Sequence, residues 1–173
     1  MNRTTRKSDH AENSKNPAKG ARFEHTVRAF LEKEMRLKLN PKYSLDLGGK
    51  GHEFDLGCAN PPVIVECKRH TWTRGNNVPS AKLAVWNEAM LYFLLAPKNY
   101  KKILAVLVSR NLGGKSLADY YVDRFRHLVP QSVEIWEIDP SGLAGRRVYP
   151  TQGPNHVRSD RPPATNRRHR PAD

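Results

Sequence analysis

Apolar positions along the chain change period several times, and each change marks an element. From Asn16-Pro17, a helix N-terminal signal, the run ARFEHTVRAFLEKEMRL places Phe23, Val27, Phe30, Leu31 and Glu34 on one side at 100° per residue. Glu24 falls between Leu31 and Met35, at the margin of that stripe, where it either reaches outward to water or points into a polar site at a sheet edge. The period then shortens. KYSLDL (42–47) reads as a strand, GGKG as a turn, HEFDLGCA (52–59) as an alternating strand, and VIVECKRH (63–70) as a strongly apolar one beyond an Asn-Pro-Pro break. Pro79-Ser80 opens a helix over AKLAVWNEAMLYFLLA (81–96), ended by Pro97. KKILAVLVSR (101–110) has the composition of a buried strand, GGKSLADYYVDRFRHL (113–128) that of a helix, and SVEIWEID (132–139) that of another strand, with RRVY (146–149) as a short last candidate.

The order α-β-β-β-α-β-α-β predicts an α/β domain over residues 17–150, with a mixed sheet of about five strands flanked by helices. Residues 1–16 and 151–173 are polar, rich in Arg and Pro and aperiodic; both are expected to be disordered basic tails. No apolar run approaches the roughly 18 residues of a membrane span, so no membrane partner is expected. The N-terminus has no apolar secretory segment, and Cys58 and Cys67 show no paired zinc or redox spacing. A reduced, cytoplasmic protein without structural zinc is the expectation.

Charges interrupt the strands where a dry sheet is wanted. In 63–70, Val63, Val65 and Cys67 face one way while Ile64, Glu66 and Lys68 face the other; in 52–59, Glu53, Asp55 and Gly57 share a face. With Asn60 and Pro61 at the middle of the turn, hairpin partners have numbers that sum to 121. Asp55 then lies opposite Glu66 and Glu53 opposite Lys68, with Cβ atoms about 5 Å apart. Carboxylates that close repel unless positive charge stands between them. Lys68 serves in part, as an ion-pair cluster at the sheet rim. Mg²⁺ serves better, because it takes hard oxygen ligands and keeps waters that a phosphate can replace; the Val65 or Cys67 carbonyl is a further oxygen donor. A lysine two residues past the second acid would orient a metal-activated water.

Charge overall adds a partner to this picture. Lys and Arg number 30 against 17 Asp and Glu, a net charge of +13; residues 1–20 and 151–173 account for +3 each, leaving +7 on residues 21–150. A folded part that is basic in its own right fits a polyanion, with nucleic acid foremost.

Phe54-Asp55, ten intervening residues, then Glu66-Cys67-Lys68 closely resembles the D…ExK signature of the PD-(D/E)XK nuclease superfamily. The order of elements over about residues 17–139 resembles its restriction-endonuclease-like core as well. Phe54 stands where the family's name has proline. The resemblance implies a Mg²⁺-dependent DNA endonuclease, with Mn²⁺ as a possible substitute, that hydrolyses a phosphodiester to a 5′-phosphate and a 3′-hydroxyl. It implies Asp55 and Glu66 as metal ligands, with the Cys67 carbonyl beside them, Lys68 as the residue that positions the nucleophile, and Glu24 as an outer acid. It also sets Lys82 to Trp86, on the following helix, against the Q-x-x-x-Y element of some members. Lys82 would then reach a phosphate; otherwise it is a solvated lysine and Trp86 a core residue. Arg69 and His70 after the strand, and Arg74 and Asn76 in the loop beyond it, are candidate DNA contacts, since Arg and Asn read base edges. One site cuts one strand, so a double-strand cut points to a homodimer.

Two other readings compete. SRNLGGKS (109–116) nearly matches a P-loop, but Ser109 takes the place of its first glycine and the meander leaves too small a parallel sheet. The other is a catalytically silent nucleic-acid-binding module on the same fold, against which the intact Asp55, Glu66 and Lys68 argue.

Overall fold

The computed structural model describes residues 15–150. Lys15 and Asn16, expected in the first tail, belong to the first helix, and the rest of the expected tails, residues 1–14 and 151–173, lies outside the described residues. Within them are three helices and a six-stranded mixed sheet: α1 (Lys15–Met35), β1 (Asn40–Asp46), β2 (Gly51–Ala59), β3 (Pro62–Lys68), α2 (Ser80–Leu95), β4 (Lys101–Leu107), α3 (Leu117–Phe125), β5 (Val133–Ile138) and β6 (Gly145–Tyr149). The sheet holds one strand more than expected, because the short RRVY segment pairs with β5 as β6. No described helix is long and apolar enough to cross a membrane.

The strands lie in chain order. β1, β2 and β3 form an antiparallel meander, β3, β4 and β5 run parallel, and β6 turns back antiparallel at the far edge. Each parallel step needs a crossover, and α2 and α3 supply them on the same face. There Trp86, Phe93, Leu117 and Tyr121 pack on Ile64, Leu104, Val106 and Ile135. α1 covers the other face, where Phe23, Val27 and Leu31 pack on Val63, Val65, Ile103 and Ala105. β4 is central and has helices on both sides, which is why KKILAVL is apolar without alternation and buried from Lys102 to Val106.

Helix ends depart from the expected ones for local reasons. α1 already includes Lys15, so Pro17 falls in its first turn, where backbone N–H groups have no partner within the helix. At its other end Arg36 takes a left-handed φ of 53° and the Leu37 N–H reaches back to the Glu32 carbonyl at 3.3 Å, a Schellman-type close. α2 has no side-chain cap; the Pro79 carbonyl accepts from the N–H groups of Lys82 and Leu83 instead. α3 is shorter than the 113–128 expected, because the Ser116 hydroxyl accepts from the Asp119 N–H at 3.0 Å and fixes the start there. Gly113 and Gly114 belong to the preceding turn, with Gly114 at φ 79°, and residues 126–128 continue as a single 3₁₀ turn.

Candidate functional site

The β2–β3 hairpin carries the three charges. Its observed pairs are Ala59 with Pro62, Cys58 with Val63, Gly57 with Ile64 and Leu56 with Val65, so the numbers sum to 121 as the turn reading required. The Asn60–Pro61 peptide is cis. Beyond Leu56 and Val65 the ladder opens, and the next two residues are Asp55 and Glu66.

The expected period of two does not survive through β2. Phe54 packs into the α2-side core, whereas Leu56 and Cys58, two and four residues on, pack into the α1-side core. The change of phase falls at Asp55, across from Lys42, which β1 holds at a left-handed φ of 52°. Tyr43 consequently crosses over Gly57, where an added Cβ would meet its ring at 2.5 Å; glycine is required there. In the open seam the Asp55 Oδ2 accepts from the Cys67 N–H at 2.6 Å. Asp55 therefore takes the place of a missing ladder partner and lies along the seam between the strands.

Glu66 is buried, with 5% of its surface exposed, on the α2 face with Ile64 and Lys68, the three that alternation set together. Lys68 Nζ donates to its Oε2 at 2.5 Å. His52 Nε2 stands 3.4 Å from its Oε1, and the imidazole is stacked on Tyr92 at 3.7 Å between centroids and edge-on to Phe54 at 4.6 Å. These groups line a cleft of about 240 Å³ that also carries Glu53 and Glu88. Glu53 and Lys68, expected as cross-strand partners, are not paired in the ladder, which ends at Leu56 and Val65, but both line the cleft.

The electrostatics of the trio are uneven. Burial raises the Asp55 carboxyl to about 6, and the Glu66 charge and, more weakly, Glu24 push the same way, against the Cys67 N–H and Lys68. Lys68 is also buried, but Glu66, by charge and hydrogen bond, together with Asp55 outweighs that burial and holds its ammonium above the usual range. Burial, then Asp55, Glu24 and Glu66, pushes the Cys67 thiol well up, which leaves it protonated at neutral pH. Glu24 reaches the site through its field: it projects from α1, on the opposite face, and is felt at both Asp55 and Cys67.

Comparison of the chain with protein-family models, with curated proteins and with solved structures finds no match in any of the three. The residues and their geometry carry the reading.

The outer candidates separate. Arg69 is exposed and turns to the α1 face, where it lines a groove with Lys19 and Arg22. His70 turns inward: its Nδ1 accepts from the buried Trp86 Nε1 at 2.9 Å, and burial, with Lys82 and Lys68, lowers it to about 4, so it is neutral at pH 7. Trp86 is a core residue with no exposed surface, and Lys82, exposed in the first turn of α2, stands close enough to His70 to act on it. Arg74 and Asn76 are both exposed in the loop after β3. Asn76, at a left-handed φ of 60°, accepts the Leu112 N–H with its Oδ1 at 2.9 Å, and the Trp72 N–H donates to Ser109 Oγ at 3.1 Å. The loops after β3 and β4 are thus tied together. In the P-loop-like turn, Lys115 is paired with Asp123 at 2.7 Å.

His52 was missed from sequence, although it sits three residues before Asp55 in the quoted strand. A lone histidine within a strand carries no local signal, and its place on Glu66 goes with the stack on Tyr92, forty residues away.

Proposed function

We propose that the chain is a Mg²⁺-dependent DNA endonuclease of the PD-(D/E)XK superfamily, on a restriction-endonuclease-like core. The observation that carries this reading is the meeting of Asp55, Glu66 and Lys68 in one cleft, with the Asp55 carboxyl raised to about 6 by its burial and by the Glu66 charge. A family resemblance in element order and a net charge of +7 on residues 21–150 support nucleic acid as the substrate.

The donor set fits the ion. Among the described residues no group of three or more His, Cys, Asp or Glu side chains is placed to hold a metal ion by itself. Two carboxylates with water and substrate oxygens are a normal Mg²⁺ environment, however. Asp55 makes one hydrogen bond among the described residues, through Oδ2, which leaves Oδ1 for an ion. Glu66 is held by Lys68 and His52 and would turn one oxygen to the ion, with the Cys67 carbonyl as a third donor. Bound there, Mg²⁺ supplies charge against the phosphate and makes water a better nucleophile. Lys68, held protonated by Glu66, acts as a hydrogen-bond donor that orients the attacking water and faces the charge growing on phosphorus. Glu24 adds negative field from the α1 side. One cleft per chain cuts one strand, so a duplex cut requires two copies.

Incubation of the full chain with supercoiled plasmid and Mg²⁺ should give nicked and linear products, and EDTA, Asp55→Ala or Lys68→Ala should abolish them. Cleavage that persists in both variants, or a wild-type chain inert on duplex, branched and single-stranded DNA, overturns the reading and favours the binding module.

A further inference from the structure

Cations on this chain are commonly paired. Arg28 meets Glu32 at 3.1 Å, Lys101 meets Glu134 at 3.2 Å, and Lys115 meets Asp123 at 2.7 Å. One place departs from this. Lys19, Arg22 and Arg69 line a single groove of about 490 Å³, all three are exposed, and none has an ion-pair partner among the described residues. Among the described residues no carboxylate lines that groove; its remaining surface includes Phe23, Leu107 and Pro140. Lys19 and Arg22 are three residues apart on α1 and so share a face of the helix, and Arg69 comes to them from the end of β3.

The groove's place matters as much as its charge. Arg69 follows the last residue of β3, Leu107 is the last of β4, and Pro140 lies two residues past β5. The groove therefore opens at the C-terminal edge of the parallel strands, on the α1 face. The cleft of Asp55, Glu66 and Lys68 opens at the same edge on the α2 face, since Lys68 and Arg69 are neighbours pointing to opposite sides. The end of β3 is the wall between them.

We infer that this groove is a second binding site, for the phosphodiester backbone of the nucleic acid, taking phosphates of the strand as it passes from the cleft over the end of β3. This rests on the nuclease reading for the identity of the polyanion. Exposed cations that no carboxylate neutralises attract phosphates and release condensed counterions on contact. Besides the three cations only Thr26 brings a polar side chain to the groove, so its contacts are chiefly those of charge with phosphate. Arg69 is thereby assigned to the α1 side, apart from His70.

The test is the salt dependence of binding by the full chain to a labelled duplex of about 20 base pairs, in EDTA so that nothing is cut. Each lost phosphate contact lowers the slope of log K against log salt by about 0.9, so Lys19→Ala/Arg22→Ala/Arg69→Ala should flatten it by about 2 to 3. A control of equal charge, Lys98→Ala/Arg124→Ala/Arg126→Ala, removes three exposed cations that precede β4 and β5, at the other edge of the sheet, and should leave the slope within about 0.5 of wild type. An unchanged slope in the first triple, or an equal fall in both, overturns the groove. Because the assay needs neither metal nor Asp55, a chain that never cuts DNA yet loses slope in the first triple alone upholds the groove while sinking the nuclease. A chain that cuts but keeps its slope does the reverse.

Discussion

Two charged clusters are buried on the same face of this sheet, and they differ in how their charges add up. At the β5–β6 edge, Glu137 Oε2 accepts from Arg146 at 2.8 Å (Nε) and 2.7 Å (Nη2), while its Oε1 is buried without a partner. Arg146 also donates to Asp119 Oδ2 at 2.7 Å and Ser116 Oγ at 3.2 Å, and Arg110 approaches Glu137 at 4.0 Å. There each charge supports the other. Its bond to Asp119, against burial and with Glu137, holds Arg146 above its usual range; burial of Asp119 is outweighed by Arg146 and Ser116, so its carboxyl is lowered. In the cleft the balance fails. Asp55, Glu66, Glu53 and Glu88 face Lys68 and His52, and Asp55 is pushed up to about 6. In the first network a buried acid meets its cation; in the second, burial and a neighbouring acid outweigh the cations and raise a carboxyl, the imbalance on which the proposed metal site rests.

Substitutions should separate the two clusters. The largest effect is catalytic: Asp55→Ala or Lys68→Ala should lower plasmid cleavage on the order of 10³-fold, while Glu137→Ala leaves the rate per folded molecule unchanged. A comparable loss in Glu137→Ala would erase the distinction. Next comes stability. Arg146→Ala leaves Glu137 buried without its cation and should cost about 2 kcal/mol by urea unfolding, less than a fully buried pair because the Arg146 side chain is 44% exposed.

The third contrast uses pH. A carboxyl raised in the folded state binds its proton more tightly there than when unfolded, so its effect on stability worsens as pH rises from about 4 through 6. Asp55→Asn should therefore match wild type near pH 4 and exceed it above pH 6 by about 1–2 kcal/mol in metal-free buffer. Added Mg²⁺ should narrow that gap by stabilising wild type alone. The smallest effect concerns His70. Its folded form prefers to stay neutral, with a value lowered to about 4, so stability falls as pH drops from about 6.5 towards 4. Thermal melts of His70→Gln should show a flatter acid limb; an identical limb would remove His70 from the account.

Much of this architecture is legible one residue at a time. Period-two runs, the Asn-Pro-Pro turn and the helical stripe of α1 are properties of neighbouring residues. They were enough to place the strands, the hairpin register and the facing of Glu66 and Lys68, because alternation and turn geometry act locally. Alternation fails at Asp55, where the β2–β3 ladder opens and a side chain fills the place of a backbone partner, a matter of how two strands diverge. The pairing of β6 likewise depends on a partner a local pattern does not name, whereas the Ser116 cap that starts α3 is a local signal that the helical reading of 113–128 passed over. His52 on Tyr92, Glu24 felt through the sheet from α1, and Arg69 and His70 parting to opposite faces all join residues far apart in the chain. Their positions follow from which elements pack together. Periodicity shows which way a side chain points, and packing settles what it meets there.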